Sequence, residues 1–245
     1  MRVQLITLAA ALALLSGAAS AFPADVDRAV ADTTRPADDR KLDADRKPAA
    51  VLAFSGVKPG QTVGEFLPGG GYYTRLLSDV VGSTGKVYAL ETTRWGQQNI
   101  DATKKVLDEP GHKNVALDLS PFGGFRLPEK VDMFWTSQNY HDLHIAKYGT
   151  VDMAAFNKAV FDSLKPGGTY LVLDHQSVAG APDAEIARVH RIDKAVVIKE
   201  VTAAGFKLVG ESRVLSNPAD DHTKNVFDPA IRFHTDQFAL KFRKP

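Results

Sequence analysis

Three acids, a run of glycines and one polar hexapeptide hold the residue types in this chain best suited to chemistry. The acids are Glu65, Glu91 and Asp118, each set inside or just after a short apolar run. The first run, Val63 to Leu67, breaks on Pro68 and on Gly69, Gly70 and Gly71. Beyond it Tyr73, Leu76, Leu77, Val80 and Val81 take helical spacing. A strand, a glycine turn and a helix in that order bring bare backbone N–H groups up to a nucleotide-like ligand. Glycines also make ordinary turns, so the turn needs support from elsewhere in the chain. Glu91 supplies some, because an acid about 20 residues past the glycines is where ribose hydroxyls are accepted. To this point the ligand is either a nicotinamide dinucleotide or another adenosine compound.

The hexapeptide Asn139 to His144, NYHDLH, follows the apolar run Val131 to Thr136. Tyr140 and His141 have the chemistry to deprotonate or orient a substrate, since histidine titrates near neutral pH. His141 and His144, three apart, could join Asp142 or Asp174 around a metal. Two histidines without a clear third ligand make a poor motif, and no metal site is expected. The plainer alternative is a helix entry where Asp142 caps and His141 packs.

These residues need a scaffold, and the apolar periodicity supplies one. Strands are predicted at 63–67, 86–90, 114–117, 131–136, 169–173, 206–209 and 232–242, and helices at 49–54, from 72, 97–107, 151–164 and 184–204. Strands alternating with helices imply a mostly parallel sheet covered on both faces. No internal repeat or interior linker divides the 245 residues, so one domain is expected over 48–245, preceded by a densely charged arm at 22–47.

Arg2, the apolar run Val3 to Leu15 and Ala19-Ser20-Ala21 have the form of a secretory signal peptide cleaved after Ala21. A periplasmic or secreted protein without a stable membrane span is the expectation. Losing Arg2 brings the chain's 30 Lys and Arg to parity with its 29 acids. A neutral chain without a basic run gives no electrostatic reason to expect nucleic acid as partner. With no cysteine, thiol catalysis, disulfides and cysteine metal sites are excluded.

The segments GEFLPGGGYYTRLL, GKVYALE, SQNYHDL, LKPGGTYLVLDH and DQFALKFRKP together resemble the class I S-adenosylmethionine-dependent methyltransferases. Within them the chain is most similar to secreted bacterial predicted methyltransferases, over about residues 46–245. The resemblance implies a Rossmann-like, seven-stranded, mostly parallel α/β sheet with helices on both faces and an antiparallel last strand. It implies S-adenosylmethionine as cofactor and a small molecule as methyl acceptor. Glu65, Leu67, Pro68, Gly69, Gly70 and Gly71 would then hold the methionine end. Glu91 would accept the ribose hydroxyls, Asp118 would lie beside the adenine, and Asn139 near the methyl donor, with Tyr140 and His141 as catalytic candidates. Leu67 stands where the family usually has the first glycine of the turn. A non-enzymatic binding protein on the same fold is the main alternative. A nicotinamide-dependent oxidoreductase is disfavoured by Thr74, which stands where that fingerprint wants a glycine.

Overall fold

The structure, a computed structural model, describes residues 22–95 and 97–245. The expected signal peptide, 1–21, lies outside the described residues. Strands β1 (Thr62–Phe66), β2 (Lys86–Thr92), β3 (Val115–Ser120), β4 (Val131–Ser137), β5 (Leu164–His175), β6 (Lys207–Ser212) and β7 (Gln237–Arg243) form one sheet. Their order is β3-β2-β1-β4-β5-β7-β6. The pairs β1–β2, β1–β4, β2–β3 and β4–β5 are parallel, while β7 runs antiparallel to β5 and β6. This is the Rossmann-like sheet with a reversed last strand that the family resemblance implies. The strand order turns back at β1 and β4, and a ligand crevice opens at such a point, beyond the strands' carboxyl ends.

Side chains alternate along each strand, and the two faces build two cores. Met133 and Trp135 of β4 and Leu171 and Leu173 of β5 enter one core; Phe134, Tyr170 and Val172 enter the other. Helix α5 (Tyr72–Val81) covers the first face through Leu76, Leu77, Val80 and Val81, all fully buried.

Upstream of β1 lie α1 (Ala24–Ala31), α2 (Ala37–Lys41), α3 (Asp43–Arg46) and α4 (Pro48–Ser55). The segment 22–47 is therefore packed against the sheet's cover, although its charge density suggests a solvated arm. Val26 and Ala29 of α1 are buried in the same core as α5. The Arg35 guanidinium forks onto Asp43 at 2.8 and 2.9 Å, and Asp43 also accepts the Tyr72 hydroxyl at 2.7 Å.

Helices α6 (Gln97–Asp108) and α7 (Met153–Ser163) fall where periodicity puts them. The single helix expected over 184–204 is instead two, α8 (Asp183–Val189) and α9 (Lys194–Ala203). Sheet-type pairing competes with the helix there. Ile192 donates its N–H to His175 O and accepts from Ser177 N–H, both at 3.0 Å, and Asp193 caps α9 by accepting Ala195 N–H. His190, at φ 55°, makes the break. The last strand starts at Gln237, five residues later than its alternation suggests, because Phe233 is left-handed at φ 69° and cannot continue a strand.

Arg75 of α5 joins two distant segments to the glycine turn. Its guanidinium donates to Glu109 after α6 at 2.7–3.1 Å, to Asp39 of α2 at 3.0 Å and to Gly70 O at 3.0 Å. Arg75→Met leaves two carboxylates without their cation. It is expected to lower unfolding stability by about 3 kcal/mol. Arg75→Lys recovers little of it, because an ammonium cannot reproduce the planar fork. Urea unfolding of the three proteins checks both statements.

Candidate functional site

Two adjoining cavities lie at the carboxyl ends of the strands. The smaller, about 310 Å³, is lined by Glu65, Leu67, Pro68, Gly69, Gly70 and Asn139 from β1, its turn and the segment after β4. Asp39, Leu42 and Arg46 complete its wall from the N-terminal helices. The larger, about 1160 Å³, is lined by His141, Asp142, His175 and His190, with Tyr148 and Phe227 among its aromatic residues. Gln138 and Asp142 line both.

The turn after β1 takes a shape that glycine would ordinarily supply. Leu67 sits left-handed at φ 54°, which costs a non-glycine residue roughly 1–2 kcal/mol. Hydrogen bonds hold it there. Its N–H donates to Leu90 O at 2.9 Å, and its carbonyl accepts from Asn139 Nδ2 at 3.2 Å. Its side chain is buried in the core, so the departure from the family's glycine is met by packing and pairing. Gly71 lies behind the cavity. It caps α5 at φ 80°, and a Cβ there would stand 2.4 Å from Val106 of α6, so the residue serves helix packing.

Glu65 lines the small cavity with its Oε2 buried and without a hydrogen-bond partner. Burial first, then the Glu91 charge, push its carboxyl up to about 8, against the pull of Thr74 and Arg75. Asn139 ties β4 to β1 by donating to Phe66 O at 2.8 Å as well as to Leu67 O. Its Oδ1 is buried and unpartnered. Glu91 and Asp118 stand at the ends of β2 and β3 as expected but do not line the small cavity. Glu91 is instead a strut of the turn. Its Oε1 accepts Gly69 N–H at 3.2 Å and the Thr103 hydroxyl at 3.1 Å. Asp118 accepts the Ser120 hydroxyl at 2.9 Å.

The two catalytic candidates fare differently from expectation. Tyr140 is fully buried and lines neither cavity. Its hydroxyl donates to Glu200 of α9 at 2.7 Å and accepts from Asn157 of α7 at 2.8 Å, which places it in the contact between those helices. His141 does face the larger cavity. Its Nδ1 lies 2.8 Å from Asp174 and its Nε2 3.3 Å from Asp142. Burial alone would depress the imidazole, but Asp174 and Asp142 outweigh it and carry the ring up to about 10. Both ring nitrogens are directed at carboxylates, so neither is turned to a substrate proton. His175 is the reverse case, held neutral by burial with its titration pushed down to about 3. His144 points elsewhere, to Glu200 at 3.3 Å, and does not pair with His141.

Arg46, Gln138 and His190 are the residues that sequence reasoning missed. Arg46 lies in a charged stretch that looks like any solvated helix, and His190 in an apparently unbroken one. Neither carries a local signal.

A titration follows from Glu65. Its carboxyl ionises near 4.5 in the unfolded chain and near 8 in the folded one. Between those values the folded state holds the extra proton, so this group's contribution to stability falls as pH rises from about 4.5 to about 8. The difference in unfolding free energy between wild type and Glu65→Gln, followed by urea titration across that range, should move in favour of the variant as pH rises.

No protein-family model matches the chain, and no curated protein matches it in sequence. Solved structures do match in fold. A SAM-dependent methyltransferase from Aquifex aeolicus aligns with TM-score 0.57 and 20% identity over 86% of this chain and 98% of its own. The glycopeptide N-methyltransferase MtfA, solved with sinefungin, aligns with TM-score 0.58 and 16% identity over 83% and 86%. The [4+2]-cyclase SpnF aligns with TM-score 0.61 and 16% identity over 82% and 81%. The fold is that of the SAM-dependent methyltransferases, and it carries more than one chemistry.

Proposed function

We propose that this protein is an exported S-adenosylmethionine-dependent methyltransferase acting on a small acceptor in the larger cavity. One observation carries the reading. Glu65 Oε2 and Asn139 Oδ1 are buried oxygens without a hydrogen-bond partner, and they share the small cavity with Arg46, whose Nε is also buried and unpartnered. A zwitterionic amino-acid end answers all three, since its ammonium donates only and its carboxylate accepts only. An ammonium beside Glu65 would also draw its carboxyl back toward the charged form. A pyrophosphate would instead meet the acids Glu65 and, behind the turn, Glu91, which argues against a dinucleotide.

Arg46, Glu65 and Asn139 would hold the methionine end, and Leu67 to Gly70 would wall it. The adenosine would lie beyond the carboxyl ends of β2 and β3, with Glu91 supporting the site only through the turn. Bound there, S-adenosylmethionine supplies an already activated methyl group. The chain's own task is then alignment, with Gln138 and Asp142 at the junction of the two cavities. The apolar N-terminal run supports export, and no helix among the described residues is long and apolar enough to cross a membrane.

A second reading, a binding protein without methyl transfer, is favoured by the finding that neither Tyr140 nor His141 is free to take a proton. Calorimetric titration of the full chain with S-adenosylmethionine, S-adenosylhomocysteine and NAD separates the readings. Both adenosyl compounds should bind and NAD should not. Arg46→Ala should weaken adenosyl binding by roughly tenfold or more, the worth of a charge-assisted hydrogen bond. Lack of binding by either adenosyl compound overturns the proposal. Binding without methyl consumption in any acceptor screen favours the second reading.

A further inference from the structure

The larger cavity holds a cluster of titratable side chains that the methionine end does not need, of which only Asp142 also reaches the small cavity. Among the described residues, His141, Asp142 and His190 each offer one donor atom, and these atoms lie within 4.8 Å of one another. Asp142 Oδ1 is 3.3 Å from His141 Nε2 and 3.5 Å from His190 Nδ1. The edge of a tetrahedron with metal–ligand bonds of ~2.05 Å is ~3.3 Å, the spacing that a four-coordinate zinc site needs. All three residues are buried yet line the cavity.

The surroundings of His141 are those of a metal ligand. Asp174, fully buried, faces Nδ1 at 2.8 Å and fixes the ring further by accepting the His141 backbone N–H at 2.8 Å. That leaves Nε2 directed at Asp142. A carboxylate behind one ring nitrogen, with the other presented to a cation, is the usual outer support of a zinc-bound histidine. His190 is brought in by the left-handed break between α8 and α9, and its ring stacks edge-on to His141 at 5.5 Å and against Phe227 at 5.1 Å. Asp142 and Asp174 bring two formal negative charges to this buried cluster, which a divalent cation with two neutral imidazoles would balance.

We propose that His141, Asp142 and His190 form a binding site for a divalent transition-metal ion of the zinc type, with Asp174 as positioning residue. Three protein ligands leave a fourth position open to the 1160 Å³ cavity, the arrangement of catalytic rather than structural zinc. The open position suits a small molecule with an oxygen or nitrogen donor. That this molecule is the methyl acceptor rests on the function proposed above; the metal site itself does not.

The test is a calorimetric zinc titration of the untagged full chain after chelator dialysis, without any adenosyl compound. One zinc per chain is expected. Asp142→Asn and His190→Gln should each weaken binding at least 100-fold, and Asp174→Asn by 10–100-fold, the usual effect of losing an outer-shell partner. His144→Ala, which touches Glu200 and not the cluster, should bind as wild type. Circular dichroism establishes that each variant is folded, and cobalt(II) substitution reads the coordination directly through its visible absorption in wild type and in His190→Gln. Absence of stoichiometric binding to wild type, or unchanged affinity in His190→Gln, overturns the site. Zinc binding in a protein that ignores S-adenosylmethionine would keep the metal site and remove the methyltransferase reading; the converse result would do the opposite.

Discussion

A buried cation, Arg75, sets the shape on which the small cavity depends. Its guanidinium takes the Gly70 carbonyl from one side of the glycine turn while holding Asp39 and Glu109 in place. Glu91 takes the Gly69 N–H. Two of the turn's backbone polar groups are thus spent on the protein. A turn so clamped presents a rigid wall to a ligand and offers few free N–H groups, which is why it suits an amino-acid end better than a phosphate. The same guanidinium ties α2 to α5 through Asp39, in the N-terminal segment that also carries Arg46.

The two cavities differ in electrostatic character, and the difference follows from which charges have partners. In the small one, acceptors of Glu65 and Asn139 stand open beside a cationic side chain. In the larger, the imidazoles and carboxylates have already found one another. Buried polar groups that lack a partner are costly, and a site that leaves them so is shaped for something that arrives from outside. Gln138 and Asp142 stand on the wall common to both.

Much of the fold was legible because parallel strands buried on both faces write long apolar runs, and the helices between them write a clear 3.6-residue period. The acids at the ends of those runs could be named from spacing alone. The readings that failed did so where non-local pairing overrode local pattern. Residues 184–204 have helical composition, yet Ile192 pairs with the backbone at the end of β5 and splits the helix. Residues 232–236 alternate like a strand, yet Phe233 is left-handed. Tyr140 has the chemistry of a catalytic residue but was carried into the contact between α7 and α9, where Asn157 and Glu200 satisfy it.

The sequence by itself determined the alternation of strands and helices, the mostly parallel sheet that follows from it and the place of the glycine turn, because these rest on periodicity and on residues near in the chain. Tertiary structure alone decided the rest of the site. It bent Leu67 into a conformation proper to glycine, held there by Leu90 O and Asn139. It moved Glu91 from the cavity wall to the back of the turn, and it brought Arg46 and His190 to the two cavities from segments whose local pattern says nothing of a site. A side chain's partner across the fold leaves no trace in spacing, since the contact is made by packing between elements, each specified by its own periodicity.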